Sequence, residues 1–292
     1  MKDFKNRVAV ITGGASGVGF ALGKALAKRN AKVILADIEE AALSLAVEEL
    51  TQQNLTASVK VTDVSNFHSV KDLANFAKEL HGKVHLLFNN AGIAPQEASF
   101  NIWDLSLNDW EWGFKVNIWG VIHGIKAFLP SMIDHGEEAR IINTTSGNGA
   151  LVTYPSTPIY ATTKAAVTRI TEALYFQLQS LNSSVKTSIL FPGPHTVETA
   201  LFSSARNRPD DLPQEKEPSF KIETIEAMQE MVSAMGKELK TTLPEEVAEF
   251  CLEGIKKDKY WLLPVNQDSE SAYKDYVESV ITKSNPLPPE IL

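Results

Sequence analysis

The first forty residues restrict the fold of this chain more than any other stretch. Arg7 to Thr12 reads RVAVIT, an apolar, β-branched run of the kind buried on both faces of a parallel sheet. Gly13, Gly14, Gly17 and Gly19 follow at once, and Phe20 to Lys28 then carries apolar residues at helical spacing. Strand, glycine turn and helix in that order form a phosphate cradle. Glycines let the backbone approach a ligand, and the helix N-terminus offers unpaired N–H groups and partial positive charge. An ordinary tight turn is the alternative. The next unit supports the cradle: Lys32 to Asp37 reads KVILAD, a second strand ending in a carboxylate. Asp37 lies eighteen residues beyond Gly19, near where a dinucleotide fold needs an acid for the adenosine ribose hydroxyls. Capping the helix that starts near Glu39 is a compatible second role.

The alternation continues. Strands are expected near 7–12, 32–37, 57–62, 84–89, 139–145, 185–191 and 259–264, with helices near 18–29, 39–53, 66–81, 107–134, 158–181 and 243–257. Strands separated by helices imply an α/β fold, a doubly wound parallel seven-stranded sheet with helices on both faces. The 292 residues suit one such domain with additions, so residues 1–292 are expected to form a single unit. Two segments depart from the pattern. Residues 194–242 begin polar and Pro-punctuated, then place Ile222, Ile225, Met228, Val232, Met235 and Leu239 at helical spacing. Such a Met-bearing face either adapts to a varied apolar ligand or simply packs on the body. Residues 266–292 suggest one more helix, through Ala272, Tyr273, Tyr276, Val277 and Val280, and then a Pro-rich tail. Trp103, Trp110, Trp112 and Trp119 crowd one stretch, with helix-interface core the expected place for most.

A net charge of −8 argues against general nucleic-acid binding, which needs basic surface. The single cysteine, Cys251, excludes an internal disulfide and sits in an apolar helical pattern, and no Cys/His cluster suggests a metal. No apolar run approaches 18 residues and the start lacks a signal-peptide core, so a cytoplasmic protein without a membrane span is expected.

The chemistry-bearing residues lie further along. Tyr160 and Lys164 are four residues apart, hence on one face of a helix, with Ser146 fourteen residues upstream. A tyrosine ionises near pH ~10 and is a poor base at neutral pH, and a cation alongside lowers that value. With a hydroxyl to hold the substrate oxygen, the set suits moving a proton on and off a carbonyl or alcohol oxygen.

Together these motifs resemble the short-chain dehydrogenase/reductase family. Thr12 to Gly19 is similar to its T-G-x-x-x-G-x-G signature, covering Gly13, Ser16, Gly17, Val18 and Gly19. Asp63-Val64 resembles its adenine-contacting acid, Asn89-Asn90-Ala91-Gly92 its N-N-A-G element, and Asn117 its catalytic-helix asparagine. Ile141 to Ser146 resembles the strand leading to its serine, Tyr160 to Lys164 its Y-x-x-x-K, and Pro192-Gly193 its P-G element. The order and spacing match over residues 5–200. The start and the C-terminal end also resemble the Cα-dehydrogenases of bacterial lignin aryl-ether breakdown.

The resemblance implies a Rossmann-type fold and a set of roles. Tyr160 is the acid/base, and Lys164 lowers its pKa and holds the nicotinamide ribose. Ser146 orients the substrate oxygen, and Asn117 helps position a water that relays the proton from Lys164. Residues 194–242 form the substrate lid. A threonine after Pro192-Gly193 contacts the nicotinamide amide, and here Thr196 is favoured over Thr199. Helices 107–134 and 158–181 form the usual interface of a homodimer or homotetramer. The expected cofactor is NAD, because Asp37 would repel a 2′-phosphate and neither Ser16 nor Ile38, the usual places for a basic residue, is basic. The expected substrate is a secondary alcohol or ketone, bulky and apolar or aromatic. An NADPH-dependent carbonyl reductase and a non-catalytic dinucleotide-binding regulator are the alternatives.

Overall fold

The computed structural model describes residues 1–287 and 289. The last part of the expected Pro-rich tail, residues 288 and 290–292, lies outside them. In chain order the first half runs β1 (Val8–Thr12), α1 (Gly17–Ala27), β2 (Lys32–Asp37), α2 (Glu40–Gln52), β3 (Ser58–Val61), α3 (Phe67–His81), β4 (Leu86–Asn89), α4 (Leu107–Phe114), α5 (Gly120–Asp134) and β5 (Ala139–Thr144). It continues through a short turn α6 (Gly147–Ala150), α7 (Pro158–Ser180), β6 (Val185–Leu190), β7 (Thr196–Val197), α8 (Ile225–Ala234), β8 (Thr241–Thr242), α9 (Pro244–Lys256), β9 (Trp261–Leu262) and α10 (Gln267–Thr282).

Seven strands form one parallel sheet in the order β3-β2-β1-β4-β5-β6-β9. The chain leaves β1 in one direction and returns to its other side with β4, so the crevice at the C-terminal ends of these two strands is the place where such sheets bind ligands. The strand sequences explain the two-sided cover. In β1, Ala9 and Ile11 join a core with Leu22, Leu26, Leu43, Cys251 and Ile255 from α1, α2 and α9. Val8 and Val10 face the other way, among Leu73, Phe128, Met132, Leu174 and Leu178 from α3, α5 and α7. Every residue of β1 is therefore buried, which is why it reads as a continuous apolar run.

The structure departs from the sequence expectations in four places. The helix expected over 107–134 contains a π-helical turn at Lys115–Trp119 between α4 and α5, a feature with no periodicity signal and one often found at functional sites. By length and hydropathy this stretch could reach across a bilayer, but here Val121, Phe128 and Met132 of α5 are buried in the core beside the sheet. The tryptophans do not fill a helix interface: only Trp112 is buried, whereas Trp103 and Trp119 are 78% and 50% exposed. The apolar periodicity over 222–239 gives a helix only at Ile225–Ala234, and Met235 is exposed beyond its end. Finally, residues 194–242 also hold a small parallel pair, β7 with β8, and a 3₁₀ helix at Ala200–Asn207.

Polar side chains tie the sheet together beneath the crevice. The Asn89 amide donates to Asn143 Oδ1 at 2.8 Å, and the Asn143 amide donates to Thr171 Oγ1 at 3.0 Å. Asn89 Oδ1 faces the backbone of Gly124 on α5, where an added Cβ would stand 2.0 Å from it. Gly124→Ala is therefore expected to destabilise the protein by about 1–3 kcal/mol through overpacking. Gly147→Ala, with nothing within 4 Å of its added Cβ, should change stability little. Urea midpoints of the two variants check this contrast, and equal midpoints would remove the assigned packing role of Gly124.

Candidate active site

The glycine turn after β1 is closed around itself. A Cβ on Gly19 would lie 1.9 Å from the Gly13 carbonyl oxygen, and Gly13 and Gly17 have φ of +63° and +51°. Only glycine combines that approach with that backbone. Ser16, at the N-cap of α1, makes no side-chain hydrogen bond to the helix. Among the described residues, nothing accepts from the N–H groups of Gly17, Val18 or Gly19. These donors and the helix dipole together suit an anionic pyrophosphate.

Asp37 closes the far end of the cradle. Its carboxylate accepts from the Ala15 N–H at 3.1 Å and the Glu39 N–H at 3.2 Å. It thus braces the glycine turn and the start of the next loop. The N-cap of α2 is Glu39 itself, so Asp37 does not cap that helix from within. Burial raises the Asp37 pKa, and the backbone donors oppose the rise. Ile38 beside it is 46% exposed at the rim of the cleft.

Asn90 ties β1 to β4. It donates to the carbonyls of Thr12 and Gly13 and accepts from Thr144 Oγ1. Asp63 accepts from the Ser65 N–H at 2.8 Å, and Val64 packs over Gly120 of α5. Both border the same cleft as Gly13, Ser16, Gly17, Val18, Asp37, Ile38, Asn90 and Gly92. Pro192, Gly193 and Thr196 border it from the opposite side. Thr199 Oγ1 accepts from the Leu201 N–H and caps the 3₁₀ helix, whereas the Thr196 hydroxyl has no partner among the described residues. His195 is exposed.

The cleft, of about 2420 Å³, continues from this cradle to Ser146, Tyr160 and Lys164. Lys164 is buried and donates to the Thr144 carbonyl at 3.1 Å. Its Nζ stands 5.6 Å from the centre of the Tyr160 ring. Burial lowers the Lys164 pKa to about 8. The Tyr160 phenol goes the other way. Burial pushes it up to about 12, the Ser146 hydroxyl bonded to it pulls it down, and the nearby Glu97 charge pushes it up again. Burial is the largest cause of the rise in the Tyr160 pKa.

Asn117 lies in the π-helical turn, and both hydrogens of its side-chain amide are donated. It donates to the Ile93 carbonyl at 2.9 Å and to Thr163 Oγ1 at 3.0 Å, and its oxygen accepts from the Ile93 N–H at 2.8 Å. The side chain fixes the loop after β4. Gly147, next to Ser146, has open space where a Cβ would stand.

Two features were invisible in the sequence. Glu97 is 1% exposed and accepts from the N–H groups of Ile159 and Tyr160. Arg206, from the 3₁₀ helix, grips Glu39 through Nε and Nη2, and Asn207 donates to the same carboxylate. A guanidinium thus does stand at the adenosine rim, but its remaining donors go to the Ala200 and Ser203 carbonyls. Neither contact has a local signal, since the partners are 62 to 168 residues apart.

Comparison with known proteins fits this geometry. The family model described as short chain dehydrogenase matches residues 7–210. A dehydrogenase/reductase of CLA biosynthesis from Lactiplantibacillus plantarum is 30% identical over 98% of this chain and 97% of its own length. A C alpha-dehydrogenase from Sphingobium sp. is 29% identical over 96% of this chain and 88% of its own. A short chain dehydrogenase/reductase from Burkholderia phymatum, solved in complex with NAD, superposes with a TM-score of 0.88 at 35% identity over the whole of both chains. The chain belongs to the short-chain dehydrogenase family of oxidoreductases.

Proposed function

We propose that this protein is an NAD-dependent dehydrogenase/ketoreductase acting on a bulky secondary alcohol or ketone of apolar or aromatic character. The observation that carries the reading is the convergence of Ser146, Tyr160 and Lys164 on one wall of a cleft that begins at the glycine cradle. The cradle geometry, with Gly13 and Gly19 in contact and helix donors free, fits a dinucleotide pyrophosphate. Gly13, Ser16, Gly17, Val18 and Gly19 would hold the phosphates, with Asp37, Ile38, Asp63 and Val64 around the adenosine. Asn90, Gly92, Lys164, Pro192, Gly193 and Thr196 would surround the nicotinamide end. When bound, the nicotinamide supplies the hydride donor or acceptor.

The chain's own groups handle the proton. The Ser146 hydroxyl donates a hydrogen bond to the substrate oxygen and holds it beside the Tyr160 phenol. In reduction, hydride adds to the carbonyl carbon and the phenol gives its proton to the oxygen. In oxidation the alcohol proton passes to the phenolate as hydride leaves carbon. With its pKa pushed up to about 12, Tyr160 rests as the phenol, ready as the acid. Lys164, anchored on the Thr144 carbonyl, keeps positive charge near the ring. A water-positioning role for Asn117 would fall to its main chain in the π-helical turn, since both side-chain amide hydrogens are donated elsewhere.

The substrate class is supported by the apolar border of the cleft. Trp112, Val116 and Phe191 come from the body, and Phe220, Met228 and Met231 from residues 194–242, which we assign as the lid. The similarity to a C alpha-dehydrogenase and to a CLA biosynthesis dehydrogenase/reductase supports a dehydrogenase or reductase activity. A homodimer or homotetramer through α4–α5 and α7 is part of the same reading. It is supported by Trp119 and Phe176, 50% and 57% exposed on those helices, and light scattering at micromolar concentration tests it.

Tyr160→Phe is expected to keep cofactor binding and lose ~10²–10⁴-fold in turnover, the contribution of a positioned acid. Cofactor titration followed by nicotinamide absorbance with an alcohol and ketone panel checks both halves. Near-normal turnover in a folded variant would sink the mechanism, and no turnover of any panel member by the unaltered protein would favour a binding role.

The cofactor preference follows from two anions. A 2′-phosphate would meet the Asp37 carboxylate, while Arg206 is held by Glu39 and is not available to receive it. Unaltered protein should prefer NAD over NADP by at least ~10-fold in kcat/KM, about 1.4 kcal/mol. Asp37→Ala combined with Ile38→Arg should move the preference toward NADP. Equal use of both cofactors by the unaltered protein contradicts this reading.

A further inference from the structure

The start of α7 has an unusual cap. Its N-cap residue, Thr157, makes no side-chain hydrogen bond to the helix, because Thr157 Oγ1 accepts from the Asn148 amide at 2.7 Å. Pro158, the first helical residue, has no N–H to offer. The first intrahelical bond runs from Ala161 N–H to the Thr157 carbonyl. That leaves two donors, the N–H groups of Ile159 and Tyr160, without helical partners. Both are taken by one side chain from another part of the chain: Glu97 Oε2 accepts from Ile159 at 2.6 Å and Oε1 from Tyr160 at 2.9 Å.

Glu97 belongs to the loop after β4, and that loop is fixed on three sides. Ile93 is held by Asn117, Ala94 bonds through both its N–H and carbonyl to Ser204 Oγ, and Gln96 donates to the Phe202 carbonyl. The loop therefore joins the 3₁₀ helix of the lid segment to the first turn of the helix that carries Tyr160. Glu97 is 1% exposed, and among the described residues it makes no ion pair. The charged and titratable groups facing it are Tyr160 on α7 and Asp109 on α4, and Asp109 is paired with Arg208. Lys164, one turn further along α7, points to the Thr144 carbonyl.

We propose that Glu97 is a positioning residue for Tyr160, capping the catalytic helix from outside and making turnover depend on the charge of its own carboxyl group. Two oxygens facing two N–H donors fit the ionised form, which accepts on both sides. Burial opposes that form and raises its pKa to about 7, with the Tyr160 and Ile159 N–H groups pulling down and Asp109 adding to the rise. The cap is complete above that value and weakened below it, as a proton on one oxygen removes an acceptor. Ionised Glu97 also raises the Tyr160 pKa, but the phenol is protonated on both sides of the Glu97 transition. Completion of the cap therefore carries the pH dependence of reduction.

The inference rests on Tyr160 being the acid/base, and the Tyr160→Phe experiment tests that reading separately. The direct test is Glu97→Gln, assayed for ketone reduction across pH with cofactor KM measured at each point. Glutamine has the same shape, carries no charge and accepts on one side only. The ratio of unaltered to variant kcat should be within ~2-fold of parity at about pH 6 and rise to ~10-fold at about pH 8, as one group titrating near 7 requires. Cofactor KM should change little. A ratio that is flat across pH, at parity or not, overturns the proposal, since a packing role has no reason to follow a titration. Should Glu97→Gln fail to fold, Glu97→Asp keeps the charge and loses the reach. It should lower kcat most at about pH 8, above the Glu97 transition, while leaving cofactor KM in place, and turnover equal to that of the unaltered protein, or lowered equally at every pH, would overturn the proposal. If Tyr160→Phe is inactive while Glu97→Gln behaves as the unaltered protein does, only the Glu97 inference fails.

Discussion

The ammonium of Lys164 is buried against the C-terminal ends of β4 and β5, with the Thr144 carbonyl as its hydrogen-bond partner. Holding a charge there is unfavourable, which is why its pKa falls to about 8. The surrounding residues are arranged to make that position possible. Gly92 leaves room, since a Cβ there would stand 3.4 Å from Nζ and 3.3 Å from Asn117 Oδ1. Thr145 and Thr168 both donate to the Lys164 carbonyl and pin its backbone. Asn117 holds the loop that walls the site. A cation placed this way stabilises electron-rich oxygen nearby, whether a phenolate or a sugar hydroxyl.

The same constraint separates what was legible in the sequence from what was not. The glycine turn, Asp37, and the Tyr160–Lys164 spacing were readable because each is a local pattern. A tight turn demands glycine, and four residues make one helical turn. The strands were readable because both faces of the sheet are covered. Glu97, Arg206 and the π-helical turn were not, because their partners are distant in sequence or because an extra residue in a helix leaves the apolar pattern intact. Of the four crowded tryptophans only Trp112 reached the core, since the loop carrying Trp103 lies on the surface and Trp119 projects from the π-helical turn. Spacing shows a neighbouring cation but not the depth of burial that raises the Tyr160 pKa.

Arg206 belongs to a short segment that joins the two ends of the cleft. Residues 199–208 touch Gly17 through Thr199, Glu39 through Arg206, Ala94 through Ser204, and Asp109 through Arg208. One short stretch therefore crosses from the phosphate cradle to the loop that holds Glu97. The loop bonded to Ser204 at Ala94 is the one that carries Glu97 to the Tyr160 N–H.

The account's central claim is that Tyr160 is an acid whose ionisation is controlled by burial and by positive charge brought alongside it. The most direct measurement is a tyrosinate difference titration of the unaltered protein against Tyr160→Phe, with and without oxidised NAD. The account expects the Tyr160 transition to lie well above the ordinary tyrosine value in the free protein, as its shift to about 12 requires. It expects the transition to fall when the positively charged nicotinamide ring of the bound cofactor is brought alongside. A Tyr160 transition at the ordinary value, or one that oxidised NAD leaves in place, would contradict it.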